Sequence, residues 1–86
     1  MSKDNVAETM AYNSEVVRQA RIKEIVKEVK EALDDRGYQA VSQISGYLIS
    51  NDPAYISSHK NARNTIQEVE RYEIIEELVR FYLEEK

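Results

Sequence analysis

The stretch Ile22-Lys23-Glu24-Ile25-Val26-Lys27-Glu28-Val29-Lys30-Glu31-Ala32-Leu33-Asp34 decides the fold class. Its apolar residues Ile22, Ile25, Val26, Val29, Ala32 and Leu33 recur at spacings of three and four, which places them on one face of an α-helix. Lys23, Glu24, Lys27, Glu28, Lys30, Glu31 and Asp34 fill the outer side. Lys27–Glu31 and Lys30–Asp34 are opposite charges four residues apart, each worth about 0.2–0.5 kcal/mol. Upstream, Ser14 is a good N-cap residue and Glu15 suits the helix dipole, so the helix is expected to start near Ser14. Downstream, Gly37 is the expected left-handed terminator. Such a helix would be roughly 33 Å long. One short partner helix cannot cover it, which points to packing against a second chain.

Beyond Gly37 the pattern stays helical. A second helix is expected over about Gln39–Ser50, with Val41, Ile44, Tyr47 and Leu48 as its stripe. Gly46 inside it costs about 1 kcal/mol relative to Ala and reads as a close-packing position. Asp52-Pro53 reads as an N-cap and a proline start, opening a single turn over Pro53–Ser57. A third helix fits about Lys60–Arg71, with Ala62, Ile66 and Val69 inward. The last fits about Tyr72–Glu85. There Ile75, Leu78, Val79 and Tyr82 suffice for one inward face; Ile74 and Phe81 widen the apolar arc. A twofold mate is the simplest cover for that width. Ile74, Ile75, Leu78, Val79, Phe81 and Tyr82 are therefore the candidate dimer interface. Before Ser14 there is no sustained apolar period, so residues 1–13 are expected to form a flexible tail and residues 14–86 the helical domain.

The expected fold is thus all-α, a compact homodimeric bundle of four to five short helices behind a disordered N-terminal tail. Composition agrees: 86 residues with only 2 Gly and 1 Pro, and 33 % charged. Twelve Lys and Arg stand against 16 Asp and Glu, a net charge of −4. That balance argues against nucleic acid or an anionic membrane as partner. No apolar run approaches the ~20 residues that span a bilayer, and the first twenty residues have no signal-peptide core, so a cytoplasmic location is expected. With no cysteine, disulfides and thiolate metal sites are excluded.

Catalytic chemistry finds no constellation. His59 is the only histidine and has no helically spaced metal-binding mate, so it reads as a surface or capping residue. Ser57 and Ser58 lack an oriented acid and an oxyanion site. Glu24, Glu28, Glu31, Glu76, Glu77, Glu84 and Glu85 read as solvated outer faces, and the tyrosines as core or interface anchors. No cofactor or metal is expected, and no enzymatic activity. Two features remain. Thr9 places a hydroxyl in the tail. Lys60, Arg63 and Arg71 form a basic set around the third helix, where Arg63 and Arg71, eight residues apart, would share a face able to meet a phosphate or carboxylate. Ordinary ion pairing of Arg71 with Glu68 or Glu70 is an equal reading.

Several blocks together resemble the IreB/ReoM family of small bacterial regulatory phosphoproteins. They are Asp35-Arg36-Gly37-Tyr38 with Gln43-Ile44 and Gly46-Tyr47-Leu48, then Asp52-Pro53-Ala54-Tyr55-Ile56 with His59 and Asn61-Ala62-Arg63-Asn64. The ending Glu73-Ile74-Ile75-Glu76-Glu77-Leu78-Val79-Arg80 with Tyr82-Leu83 also matches, as does the tail block Glu8-Thr9-Met10-Ala11-Tyr12-Asn13. The resemblance implies a helical homodimer whose tail threonine, here Thr9, is the substrate of a PASTA-type membrane Ser/Thr kinase and its cognate phosphatase. It further implies control of cell-wall synthesis and β-lactam tolerance, one route being Clp-dependent turnover of a peptidoglycan-precursor enzyme. The chain departs from the family pattern at Gln39-Ala40 (usually Asn-Pro), Ser57-Ser58 (Pro-Arg), Gln67-Glu68 (two basic residues) and Tyr72 (Asp). The missing arginines at Ser58 and Gln67 thin the family's basic surface to Lys60, Arg63 and Arg71. Val6 replaces the second tail threonine that some members carry. The alternative reading is a helix-turn-helix DNA binder, with turns at Gly37 and Asn51-Asp52; the lack of clustered Lys and Arg on any one helix weighs against it.

Overall fold

The structure is a computed structural model that describes residues 3–84, with side chains from Ser14 onward. All regular structure among these residues is helical, and none of the helices is long and apolar enough to cross a membrane. Helix α1 spans Lys3–Asp35, α2 Ala40–Ser50, α3 Ala62–Ile66 and α4 Arg71–Glu84; 3-10 turns at Pro53–Tyr55 and His59–Asn61 link α2 to α3.

Helix α1 starts well before the expected cap at Ser14, which lies inside it. Lys3–Asn13 holds no Gly or Pro and contains Ala7, Glu8, Met10 and Ala11, all good helix formers, so nothing local stops the backbone there. The other end behaves as read: Gly37 takes φ +76°, and Tyr38 N–H donates to Leu33 O at 3.0 Å. Lys30–Asp34 closes at 2.6 Å; Lys27–Glu31 forms no ion pair within 4.0 Å.

The core joins the α1 stripe to the second half of the chain. Ile22, Ile25, Val29, Ala32 and Leu33 are buried with Tyr47, Ile56, Ala62, Ile66 and Ile74, and Val26, Ile44, Leu48 and Val69 pack against its edge. Leu33, Ile56, Ile66 and Val29 are wholly enclosed; truncating such a residue to Ala costs about 2–5 kcal/mol.

Four expectations are corrected. Val41 is not in the core but 81 % exposed, because α2 contributes mainly Tyr47. The third helix is one short segment, not Lys60–Arg71: Lys60 and Asn61 are left-handed at φ 51° and 66°, and the chain turns again at Gln67 before α4. On α4 the faces are exchanged. Ile74 and Glu77 point inward, whereas Ile75, Leu78, Val79 and Tyr82 are exposed. Glu77 is therefore not on the outer side; Glu85 lies outside the described residues.

Candidate functional site

The basic set is built on three different segments. Lys60, in the left-handed turn, holds Nζ 3.5 Å from Asp35 Oδ2. Arg63 on α3 donates from Nε to Ile56 O at 2.8 Å. Arg71, the first residue of α4, donates to Leu48 O at 2.5 Å. The chain turns between α3 and α4, so Arg63 and Arg71 do not share a helix face despite their spacing. Each spends part of its guanidinium on a backbone carbonyl left over at the end of another segment; the remaining N–H donors stay available. Arg71 pairs with neither Glu68 nor Glu70. Glu68 instead meets Arg21 at 3.0 Å.

His59 fastens this region to α1. Its Nε2 lies 2.8 Å from Asp35 Oδ2, at the last residue of the long helix. That hydrogen bond, followed by the charge of Lys60, holds the Asp35 carboxyl below its ordinary value of 3.8. Ser57 Oγ accepts from His59 N–H at 3.0 Å, and Ser57 N–H donates to Gln43 Oε1 at 2.9 Å. His59 is thus a structural clasp. Among the described residues no three His, Asp or Glu converge as a metal set.

Two ionic clusters on α4, around Glu73 and Glu77, also escaped the sequence reading. Arg18 reaches Glu73 at 2.7 Å, and Glu73 also accepts from Glu70 N–H at 3.1 Å, capping α4. Glu77, 7 % exposed, is held by Arg80 at 2.8 Å with Lys23 at 3.9 Å. The partners in the Arg18 link stand 55 positions apart, and no local pattern encodes that.

The outer side of α4 is an exposed apolar crest. Leu78, Val79, Phe81, Tyr82 and Leu83 are 42 %, 49 %, 57 %, 75 % and 67 % exposed. Of the six residues expected at an interface, Ile74 is instead fully buried in the core and unavailable for one. Beside this crest a groove of about 300 Å³ runs between α4 and α1. Val26, Ile74, Leu78 and Phe81 line it, and Lys23, Lys27 and Lys30 stand along its α1 edge. Contiguous exposed apolar surface of this kind marks a binding face. By contrast, α2 carries no charged side chain that would meet a phosphate backbone. Thr9 lies on α1 outside the described side chains.

Residues 7–84, which include Thr9 and everything from the α1 stripe to the end of α4, match the model of a family described as IreB regulatory phosphoprotein.

Proposed function

The chain belongs to the IreB family of regulatory phosphoproteins, and on that premise we propose a cytoplasmic, non-enzymatic adaptor whose output is set by phosphorylation of Thr9. The kinase is a PASTA-type Ser/Thr kinase opposed by a cognate phosphatase. The output is control of cell-wall synthesis and β-lactam tolerance, through Clp-dependent turnover of a peptidoglycan-precursor enzyme. The adaptor works as a homodimer joined through the exposed crest of α4, and Lys60, Arg63 and Arg71 meet the protein target with the donors their structural bonds leave free.

The observation that carries this reading is the family match itself, because it extends across Thr9. Residues 3–13 lie on α1 upstream of the core, so a kinase that takes Thr9 as an extended strand unwinds only that end and leaves the core from Ile22 onward intact. Phosphate adds about −1.5 to −2 charges and three acceptor oxygens at neutral pH. With the family's arginine surface thinned and Arg63 and Arg71 engaged at carbonyls, the phosphate acts on the target directly rather than by docking back.

Pull-down with phosphorylated and unphosphorylated protein tests the proposal. Different captured partners, with melting temperatures for Thr9→Ala and Thr9→Glu close to the parent, are expected. Equal affinity of both forms for the same partners refutes it. Dimerisation is checked separately by sedimentation at micromolar concentration, where Leu78→Asp should turn a dimer into a folded monomer.

A further inference from the structure

A polar cleft of about 300 Å³ lies between the end of α2 and the start of α4, and Tyr47 forms part of its wall. Tyr47 is only 5 % exposed, yet its hydroxyl bonds to no other described residue and is not sealed from solvent. A phenol on an otherwise enclosed ring normally finds a partner. Here the opening it lines is the cleft.

Arg71 stands in the same wall. Its guanidinium is fixed by one bond to Leu48 O, which leaves its other N–H donors in a rigid fork. Arg71 and Tyr72 open α4, where helix geometry gives their backbone N–H groups no intrahelical acceptor. Asn51, left-handed at the end of α2, adds a side-chain amide. Gln67, whose Nε2 is spent on Arg63 O, adds a carbonyl oxygen.

The charge balance selects the ligand. Glu70 lines the cleft with Arg71, so its walls carry no net charge. A dianionic phosphate would meet the Glu70 carboxylate with one cation to offset both. A carboxylate carries a single charge, matches the planar guanidinium fork and also accepts from a phenol. An apolar ligand finds little contact, because Val69 is the one aliphatic side chain in the lining.

We infer that the cleft is a binding site for an α-carboxylate, held by the Arg71 fork and by the Tyr47 hydroxyl. A peptide chain end and a free amino acid both supply that group; the ammonium of a free amino acid would in addition meet Glu70. The site goes beyond the phosphorylation proposal and stands without it, since α2 and α4 set its donors whatever the state of Thr9.

Amide chemical-shift titration of the full chain tests it. N-acetyl-alanine should shift Asn51, Gln67, Arg71 and Tyr72 saturably, with a Kd on the order of 1 mM, and N-acetyl-alaninamide should not. Tyr47→Phe keeps the buried ring and should weaken binding about fivefold. Arg71→Lys keeps the charge, loses the fork and should weaken it about tenfold. Tighter binding of N-acetyl-alanine than of L-alanine supports the site as one for a chain end, and the reverse order supports it as one for a free amino acid. Equal shifts from the acid and the amide, tighter binding of inorganic phosphate, Tyr47→Phe binding like the parent, or no saturation by about 50 mM each overturn the site and leave regulation through Thr9 standing.

Discussion

The ring of Tyr55 lies so close over Gly46 that a Cβ at position 46 would sit 2.5 Å from Tyr55 Cδ1 and 3.0 Å from Cγ. Helix propensity alone favours Gly46→Ala by about 1 kcal/mol. Overpacking against the ring base costs about 1–3 kcal/mol. A net loss of about 1 kcal/mol in urea unfolding is expected. The sign should reverse in a Tyr55→Ala background, where the alanine meets open space. An alanine that stabilises the parent as well would dismiss the contact.

Arg63 and Arg71 carry a structural duty beside any docking one. Removing either side chain strips a half-buried carbonyl, Ile56 O or Leu48 O, of a charged donor. Arg63→Ala and Arg71→Ala should each cost about 1–2 kcal/mol, whereas Lys60→Ala, with 61 % of its side chain exposed, should stay within about 0.5 kcal/mol. Unchanged unfolding midpoints for both arginine variants would show these bonds to be idle.

Acid should loosen the clasp at the end of α1. The Asp35 carboxyl is held below 3.8 by His59 and Lys60, so the folded state binds a proton there less readily than the unfolded chain. Its contribution is complete above about pH 4 and is lost as pH falls through the lowered folded value. Asp35→Asn should therefore be less stable than the parent at pH 6 and converge with it near pH 2. Parallel stability curves over that range would contradict the assignment.

Glu77 and Arg80 should respond asymmetrically. Arg80→Ala leaves a buried carboxylate with only Lys23 at 3.9 Å and should cost about 1–2 kcal/mol. Glu77→Met removes the buried charge, fills the site with apolar volume beside Ile74, and should fall within about 1 kcal/mol of the parent. Equal losses in both variants would mean that the pair itself stabilises the fold.

The α1 stripe and the Gly37 stop were legible because their causes are local: periodicity for one, an unoccupied Cβ position for the other. Asp52-Pro53 was legible for the same reason, and Asp52 Oδ1 does accept from Ala54 N–H at 3.0 Å. The inward face of α4 was not. Its apolar arc is wide enough to offer several faces, and α1 chooses among them through Arg18–Glu73 and Lys23–Glu77, contacts no window of sequence contains. The left-handed pair at Lys60-Asn61 was hidden differently. No glycine marks it, and only asparagine tolerates that conformation readily. The chain also turns at Gln67, between α3 and α4, so the basic residues were legible one by one but the single helix face expected for Arg63 and Arg71 was not.

The division of the core between α1 and the later segments sets a timetable for synthesis. The stripe Ile22–Leu33 leaves the ribosome first, yet most of what encloses it, Tyr47 to Ile74, is still to be translated. At about 5–20 residues per second, the interval between Leu33 and Ile74 lasts on the order of 2–8 s. Over that interval the buried cover of the aliphatic seam is made piecemeal, from Tyr47 to Ile74. Ile74 arrives as the last wholly enclosed side chain, so a transcript cut short before that codon would yield helices without a closed interior.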